Sequence, residues 1–228
     1  QSAKKLALDL ISKKKNIEKD WVHLVSRKEV ELRKGNNLKG PRVAVLDLGS
    51  KENILRELML RCSEIKIFPA RTTTQQILEY HPDGILLTNG PGDPSEVQVA
   101  PQTVREILGK KPIFGICMGH QILGLALGAK TYKLKFGHRG SNHPIRDEIL
   151  KSIYMTSQNH GYEIERESLP PDVMVTQVNL NDQTVAGLFS ETRNCLGIQY
   201  HPESHPGPHE AVSLFDFFVN KMILMKGL

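Results

Sequence analysis

The sequence has few of the features that tie a chain to a disulfide framework, a metal cluster or a membrane. Its three cysteines, Cys62, Cys117 and Cys195, are odd in number and widely spaced, so neither a disulfide set nor a C-x-x-C metal pattern is present. No apolar run approaches the roughly 20 residues that a membrane-spanning helix needs, and no signal-peptide pattern opens the chain. We therefore expect a cytoplasmic protein without a membrane partner.

Most of the chain also lacks a large net charge and has no nucleotide-binding motif. The formal charge of +5 comes from residues 1–40, where eleven Lys and Arg residues outnumber five Asp and Glu residues, and residues 41–228 are left near neutrality. A basic face for phosphate-backbone binding is therefore missing, and no nucleic-acid partner is expected. The glycine-rich segment 89–94 matches neither the P-loop nor the dinucleotide-binding pattern.

The chain divides into a short leading segment and one large domain. Residues 1–40 combine an apolar and lysine-rich pattern typical of one short helix, a predicted strand at residues 21–25, and a polar linker over residues 26–40. We place a boundary near Pro41. Residues 1–40 are then the remnant of a preceding domain with its linker, and residues 41–228 form the main domain.

Residues 42–128 alternate short β-branched runs with helical patterns, which is typical of a mostly parallel sheet covered by helices on both faces. After Gly128 strands dominate, and polar loops are predicted at residues 136–144 and 156–162, where we expect no metal site. Predicted strands are 43–46, 65–68, 84–87, 113–116, 130–134, 153–156, 173–178, 185–189 and 196–200; predicted helices are 53–60, 74–78 with Thr74 as N-cap, one ending at 108, and one from about 209 to 225.

Cys117 stands where a buried strand changes into a helix. Gly115 and Gly119, two residues to either side, permit the tight strand-to-helix turn of a nucleophile elbow. A helix N-terminus or a nearby imidazolium favours the thiolate form of such a cysteine. Cys117 is therefore a candidate nucleophile, and the alternative is a small buried cysteine that happens to end a strand.

His201 and Glu203 form the second candidate element. They follow the last predicted strand, and Pro202 between them favours the extended backbone in which residues i and i+2 share one side. Glu203 can then orient the imidazole while its other nitrogen faces the thiol, as in a catalytic triad. By itself a His-x-Glu pair is also common in surface loops, and the elbow in the same sheet makes the triad credible.

The loop after the third predicted strand is a candidate oxyanion hole. Pro91 has no N–H, so Gly90 and Gly92 are the donors on either side of it, and the N–H of Met118 follows the nucleophile directly. The alternative is a simple glycine turn. Gln121 lies one helical turn after Cys117, on the same helix face, and could reach a bound substrate.

These motifs resemble those of the class I glutamine amidotransferases. The resemblance rests on Gly115-Ile-Cys-Met-Gly-His-Gln121, with Asn89-Gly-Pro-Gly-Asp93 before it and His201-Pro-Glu203 after it. Within that family, residues 136–144, 157–162, 205–209 and 214–218 are similar to the small, glutamine-hydrolysing subunits of carbamoyl phosphate synthetases. The resemblance covers residues 42 to about 225.

The resemblance implies a flavodoxin-like α/β fold and a glutaminase that proceeds through a cysteine thioester. Its family roles fall on the triad Cys117, His201 and Glu203, on oxyanion donors at Gly90, Gly92 and Met118, and on glutamine contacts at Gln121, Asn159, Gly161 and Tyr162. It implies no metal and no cofactor in this chain, with ATP and magnesium bound only by the partner synthetase subunit that receives the ammonia.

Other partners and functions stay open at this stage. In the family a separate N-terminal domain of the same subunit precedes the amidotransferase domain and contributes to the glutamine pocket, and residues 1–40 match only its end. The alternatives are an amidotransferase subunit of another synthetase and a non-catalytic module that senses glutamine.

Overall fold

The computed structural model describes residues 2–15, 19–148 and 151–224, and a ten-stranded sheet runs through them. The strands are β1 Glu31–Lys34, β2 Arg42–Asp47, β3 Glu64–Pro69, β4 Gly84–Leu87, β5 Ile113–Ile116, β6 Thr131–Asp147, β7 Ser152–Ile164, β8 Met174–Asn179, β9 Val185–Ser190 and β10 Cys195–Ile198. The helices are α1 Ala3–Lys15, α2 Trp21–Val25, α3 Glu52–Arg61, α4 Thr74–Glu79, α5 Ala100–Ile107, α6 Met118–Leu127 and α7 Ser213–Asp216.

The sheet has a parallel half and an antiparallel half. Strands β3, β2, β4, β5 and β10 are parallel neighbours in that order, which is the flavodoxin-like order with the first strand inside the second. Strands β9, β8, β6 and β7 continue the sheet beyond β10 as antiparallel neighbours. The predicted α/β fold is confirmed, and the mixed sheet reflects the change of pattern after Gly128.

Alternate residues of the parallel strands supply two separate cores. On β2, Val43 and Val45 pack with helices α3 and α7, whereas Ala44 and Leu46 pack with α4, α5 and α6. Both faces of the strand are buried because side chains alternate across a sheet and each face is covered by helices. Helices therefore lie on both faces, as predicted.

Two predictions for the leading segment were wrong. Residues 21–25 form helix α2, since the Asp20 carboxylate caps it by accepting a hydrogen bond from the His23 N–H at 3.0 Å. The predicted linker at residues 26–40 contains strand β1, which pairs antiparallel with the edge strand β3. Its alternating charged residues gave no core signal, because the strand lies at the exposed end of the sheet. The division at residue 41 stays a prediction.

The predicted polar loops at residues 136–144 and 156–162 were also wrong, because both lie within the long hairpin of β6 and β7. The register of this hairpin shifts twice, between Lys133 and His138 and between Gly140 and His143. Such bulges interrupt the alternation by which a strand is recognised in a sequence. The hairpin carries polar residues toward the carboxyl ends of the parallel strands.

Smaller differences concern helix ends. The N-cap of α4 is Thr73 and not Thr74, with a capping box to Gln76. The predicted closing helix is a 3₁₀ turn at Glu210–Val212, helix α7 and wider helical turns over Phe217–Leu224, and residue 225 lies outside the described residues. Within the described ranges, no helix is long and apolar enough to cross a bilayer.

Candidate active site

A cavity of about 1130 Å³ lies at the carboxyl ends of the parallel strands, next to the β6–β7 hairpin. This is the edge at which ligands collect in open α/β sheets. Nine of the ten predicted site residues line it, and the tenth, Glu203, lies directly behind His201. The motifs that are far apart in the sequence therefore meet in one place.

Cys117 adopts the strained geometry expected of a nucleophile elbow. It joins β5 to α6 with φ 56° and ψ −103°, a conformation that side-chain-bearing residues rarely adopt. The two glycines are sterically required, since a Cβ on Gly119 would lie 2.3 Å from the Leu87 carbonyl oxygen and one on Gly115 would lie 2.6 Å from the Gly119 carbonyl oxygen. The thiol is thereby held at the start of α6.

His201 links the thiol to Glu203. Its Nδ1 lies 2.8 Å from Glu203 Oε1, and its ring also interacts electrostatically with the Cys117 side chain. Its backbone N–H donates to the Ser157 carbonyl at 2.9 Å, which ties the segment to β7. Burial by itself lowers the pKa of His201, but the interactions with Cys117 and Glu203 outweigh burial and raise it.

Glu203 is buried and has a second cationic partner. Lys51 Nζ lies 3.0 Å from Glu203 Oε1, and the lysine itself is 43% exposed. Burial raises the pKa of a carboxyl group, but the hydrogen bond and charge of His201, with a smaller contribution from Lys51, hold the pKa of Glu203 below its ordinary value. Sequence reasoning missed Lys51, because no motif connects the start of α3 with residue 203.

Gly90 and Gly92 of the glycine loop, residues 89–94, line the cavity together with Cys117 and Met118. Among the described residues, the N–H groups of Gly90, Gly92 and Met118 donate to no backbone carbonyl outside the helices and strands. Gly90 cannot carry a side chain, since a Cβ would lie 2.2 Å from the Leu48 carbonyl oxygen. All three residues line the cavity, so their N–H groups are the candidates for holding an anionic oxygen.

The four residues predicted to contact glutamine also line the cavity. Gln121 is buried, and its Nε2 donates to the Tyr162 carbonyl at 2.7 Å and to Gln199 Oε1 at 3.0 Å. It thus fixes the backbone of β7 where Asn159, Gly161 and Tyr162 border the cavity. The pKa of Tyr162 is raised by partial burial and by the nearby Asp93 carboxylate.

The leading segment also borders the cavity, which the sequence did not reveal. Val25 and Arg27 line the cavity. The Trp21 side chain packs against Gly92 of the glycine loop, so closely that a Cβ added to Gly92 would lie 3.1 Å from the indole ring. Arg27 is anchored to Asp47 Oδ2 by its backbone N–H at 2.8 Å and by its guanidinium at 3.0 Å. A sequence pattern has no means of showing such contacts between distant segments.

The chain is similar to known proteins over most of its length. The family described as glutamine amidotransferase class-I matches residues 44–221. The carbamoyl phosphate synthase small chain of Lactococcus lactis subsp. lactis is 51% identical over 183 residues, which are 80% of this chain and 51% of that protein. The small chain of Staphylococcus epidermidis is 47% identical over 217 residues, 94% of this chain and 58% of that one. The chain spans about half the length of the curated relatives it matches.

Two solved structures share the fold. A putative GMP synthase component from Thermoplasma acidophilum has a TM-score of 0.71 and 24% identity, over 82% of this chain and 96% of that one. A glutamine amidotransferase from Thermotoga maritima has a TM-score of 0.57 and 23% identity, over 71% and 76% of the two chains. Because the family match covers residues 44–221 and includes the cysteine elbow and the His-x-Glu segment, the chain belongs to the class I glutamine amidotransferases.

Proposed function

We propose that this chain hydrolyses glutamine to glutamate and ammonia with Cys117 as nucleophile, and that it supplies the ammonia to a synthetase subunit for carbamoyl phosphate formation. The observation that carries the glutaminase is the chain of contacts from Cys117 through His201 to Glu203 at one end of the cavity. A nucleophile, a base and a group that orients the base are what acyl transfer requires.

In the first half-reaction, the Cys117 sulfur attacks the side-chain amide carbon of glutamine. As the sulfur attacks, His201 takes up the thiol proton, and Glu203 accepts a hydrogen bond from His201 Nδ1. When the tetrahedral intermediate collapses, His201 returns a proton to the nitrogen, the C–N bond breaks, and ammonia leaves behind a glutamyl thioester.

In the second half-reaction, water attacks the thioester carbon. His201 removes a proton from the water, the C–S bond breaks, and glutamate leaves while the thiolate is restored beside the imidazolium. In both steps negative charge develops on the carbonyl oxygen. We assign its stabilisation to the N–H groups of Gly90, Gly92 and Met118, each of which is worth on the order of 10²–10³ in rate.

The substrate is assigned to the wall formed by Gln121, Asn159, Gly161 and Tyr162. Gln121 already uses its amide N–H groups on Tyr162 and Gln199, so we assign it the positioning of the β7 backbone as well as contact with the ligand. Asn159 and Gly161 offer polar groups on the cavity side of the hairpin. Together they suit the charged α-amino acid end of glutamine.

Transfer of the ammonia to a large synthetase subunit is supported by the names of the relatives, which are small chains of carbamoyl phosphate synthase. We assign ATP and magnesium to that partner, where the ammonia meets carboxyphosphate. Because the relatives are about twice as long, we assign part of the activity of the whole small chain to a further N-terminal domain. Service to another synthetase is the competing assignment, and it predicts a partner without carbamoyl phosphate activity.

Covalent labelling tests the glutaminase directly. A chloromethyl ketone analogue of glutamine is expected to modify Cys117 alone, since burial raises the pKa of both Cys62 and Cys195 to about 12 and keeps them as thiols. Peptide mapping identifies the modified cysteine, and excess glutamine should protect it. Cys117→Ala should abolish ammonia release, and unchanged hydrolysis in this variant contradicts the proposed mechanism.

The partner assignment has its own measurement. Steady-state glutamine hydrolysis is measured in the presence of the large synthetase chain and without it, and carbamoyl phosphate is assayed in the mixture. Faster hydrolysis with glutamine-dependent product formation supports the assignment. If no large chain of a carbamoyl phosphate synthetase accelerates the hydrolysis, the partner assignment is rejected. The proposed glutamine hydrolysis by Cys117 is not affected by that result.

A further inference from the structure

A buried cluster of metal-ligand types lies in the β6–β7 hairpin at the edge of the cavity, where His160 is one of the lining residues, and the triad does not use it. It consists of His138 on β6 and of His160 and Glu163 on β7, with one ligand atom of each within 4.8 Å of the others. All three side chains are buried. The two imidazoles and the carboxylate converge from neighbouring strands, which gives the cluster a rigid support.

The distances within the cluster fit a bound transition metal. Nδ1 of His138 lies 3.5 Å from Glu163 Oε1, and Nδ1 of His160 lies 3.6 Å from the same oxygen. Two ligands at about 2.0–2.1 Å from a tetrahedral ion are about 3.3 Å apart. Both nitrogen-to-carboxylate distances are within about 0.3 Å of this value, and all ligand atoms lie within 4.8 Å of one another, so they need to approach by at most about 1.5 Å.

In both imidazoles the second ring nitrogen, Nε2, lies within hydrogen-bond distance of an oxygen acceptor, as in typical metal-binding histidines. Nε2 of His138 lies 2.7 Å from Asp182 Oδ2, and Nε2 of His160 lies 2.8 Å from Gln158 Oε1. A ligating histidine typically donates its second ring N–H to a carboxylate or carbonyl oxygen, which fixes the tautomer and the ring plane. Here both rings have such a partner and present Nδ1 to the centre.

Without a cation, the cluster leaves buried polar atoms unsatisfied. Among the described residues, His138 Nδ1 and Glu163 Oε2 have no hydrogen-bond partner. His160 faces two acceptors, Gln158 Oε1 at 2.8 Å and the Tyr162 carbonyl at 3.1 Å, although a neutral ring has one N–H. Burial disfavours a charged second N–H on this ring.

A rotated Gln158 amide does not resolve the conflict. The Thr156 hydroxyl donates to the His143 carbonyl at 2.8 Å, so it accepts from Gln158 Nε2 at 3.2 Å. Turning the amide would place two acceptors against each other at that contact. The Gln158 oxygen therefore points at His160, and the Nδ1 lone pair of His160 is left for another partner.

We propose that His138, His160 and Glu163 bind one divalent transition-metal ion of the zinc class, through Nδ1 of each imidazole and the Glu163 carboxylate, with water completing the coordination. Imidazole and carboxylate donors in a tetrahedral arrangement suit zinc better than magnesium or calcium, which prefer oxygen ligands alone. The charge of the ion balances Glu163 and the carboxylate of Asp182. The site joins β6 to β7 next to Asn159 and Gly161, which flank His160 in the sequence.

Zinc binding to the whole chain tests this site. The protein carries Cys117→Ala, which removes the cavity thiol as a competing ligand, and is stripped with a chelator before titration with Zn²⁺ against a chromophoric competitor. One equivalent is expected to bind. Co²⁺ bound in its place should give the intense visible bands of a tetrahedral site.

Single substitutions identify the ligands. Glu163→Gln and His138→Asn should each weaken zinc binding more than about tenfold, and Asp182→Asn, which alters the outer partner, by about tenfold. Glu165→Gln, two residues further along the same chain segment, is the matched control and should bind as the parent does. Circular dichroism verifies that each variant folds, and Asp182→Asn decides the outcome if a buried substitution does not fold.

Two results would overturn the site. One is the absence of stoichiometric zinc binding, which means that the cluster holds a proton shared by His138 with Glu163 and Asp182. The other is zinc binding with the same affinity in Glu163→Gln, His138→Asn and Asp182→Asn, which places the ion elsewhere. Neither result depends on glutamine hydrolysis, so the glutaminase and the metal site are judged separately.

Discussion

His201 Nδ1 and Glu203 Oε1 lie 2.8 Å apart, and both side chains are buried at the end of the cavity that holds Cys117. The contact joins two residues that are separated by a single proline. It fixes which imidazole nitrogen faces the sulfur, because the nitrogen bound to Glu203 carries the proton and the other is directed at the thiol.

Glu203→Gln should lower the pKa of His201, since the neutral amide removes a charge that raises it. The maximal rate of glutamine hydrolysis should fall by on the order of 10²–10⁴, because the imidazole loses both its orientation and the stabilisation of its charged form. NMR titration of the ring nitrogens measures the pKa, and steady-state kinetics measure the rate. Glu210→Gln, in the following surface turn, should leave both unchanged.

The raised pKa of His201 also predicts how stability depends on pH. A base whose pKa is higher in the folded state contributes its full stabilisation below the unfolded value of about 6.5, and loses it as pH rises through the folded value. The free energy of unfolding of the parent should therefore fall relative to His201→Asn as pH rises from about 6.5. Denaturant unfolding at several pH values measures the difference, and a constant difference would contradict the ion pair.

Lys51→Gln should reduce the efficiency of hydrolysis by less than about tenfold, because Lys51 contacts Glu203 at 3.0 Å but is 43% exposed and screened by solvent. The loss should become smaller at high ionic strength, since salt already weakens the interaction in the parent. Kinetics at low and high salt test this. Lys110→Gln, an exposed lysine far from the cavity, serves as the control and should show no salt-dependent change.

Gly119→Ala should abolish activity, because the added Cβ would lie 2.3 Å from the Leu87 carbonyl oxygen and must displace the elbow that holds Cys117. Gly109→Ala is the matched control. Its backbone has φ +75° and its nearest neighbour to a Cβ is 3.9 Å away, so it should lose about 1 kcal/mol of stability through strain and keep its activity. Equal activity losses in both variants would argue against a specific role for the elbow.

Local signals were sufficient for much of the parallel half of the sheet. Strands β4 and β5 begin and end at the predicted residues 84–87 and 113–116, because buried apolar runs bounded by turn residues are recognisable without their neighbours. The elbow at Cys117 could also be predicted from the sequence, because its two flanking glycines are a local signal. Gly115 lies against the backbone of Gly119, and Gly119 lies against Leu87 on the adjacent strand, so neither has room for a Cβ.

Other elements could not be fully predicted from the sequence, because they depend on contacts between distant segments. Residues 21–25 have a β-branched and aromatic composition that favours a strand, yet the Asp20 cap and contacts with the glycine loop make them a helix. Strand β1 exists because β3 offers an edge, and its own charged sequence contains no such information. In the β6–β7 hairpin the predicted strands 130–134 and 153–156 overlap with β6 and β7, but bulges concealed the rest of both strands in apparently polar loops.

The α/β class, the elbow and the three candidate triad residues could be recognised in the sequence, because each depends on spacing within a short segment. Three further findings required the folded chain: Lys51 contacts Glu203, Val25 and Arg27 border the cavity, and His138 and Glu163 converge from two strands. These contacts arise from strand register and sheet order, which are set by the packing of the whole chain and not by any local pattern.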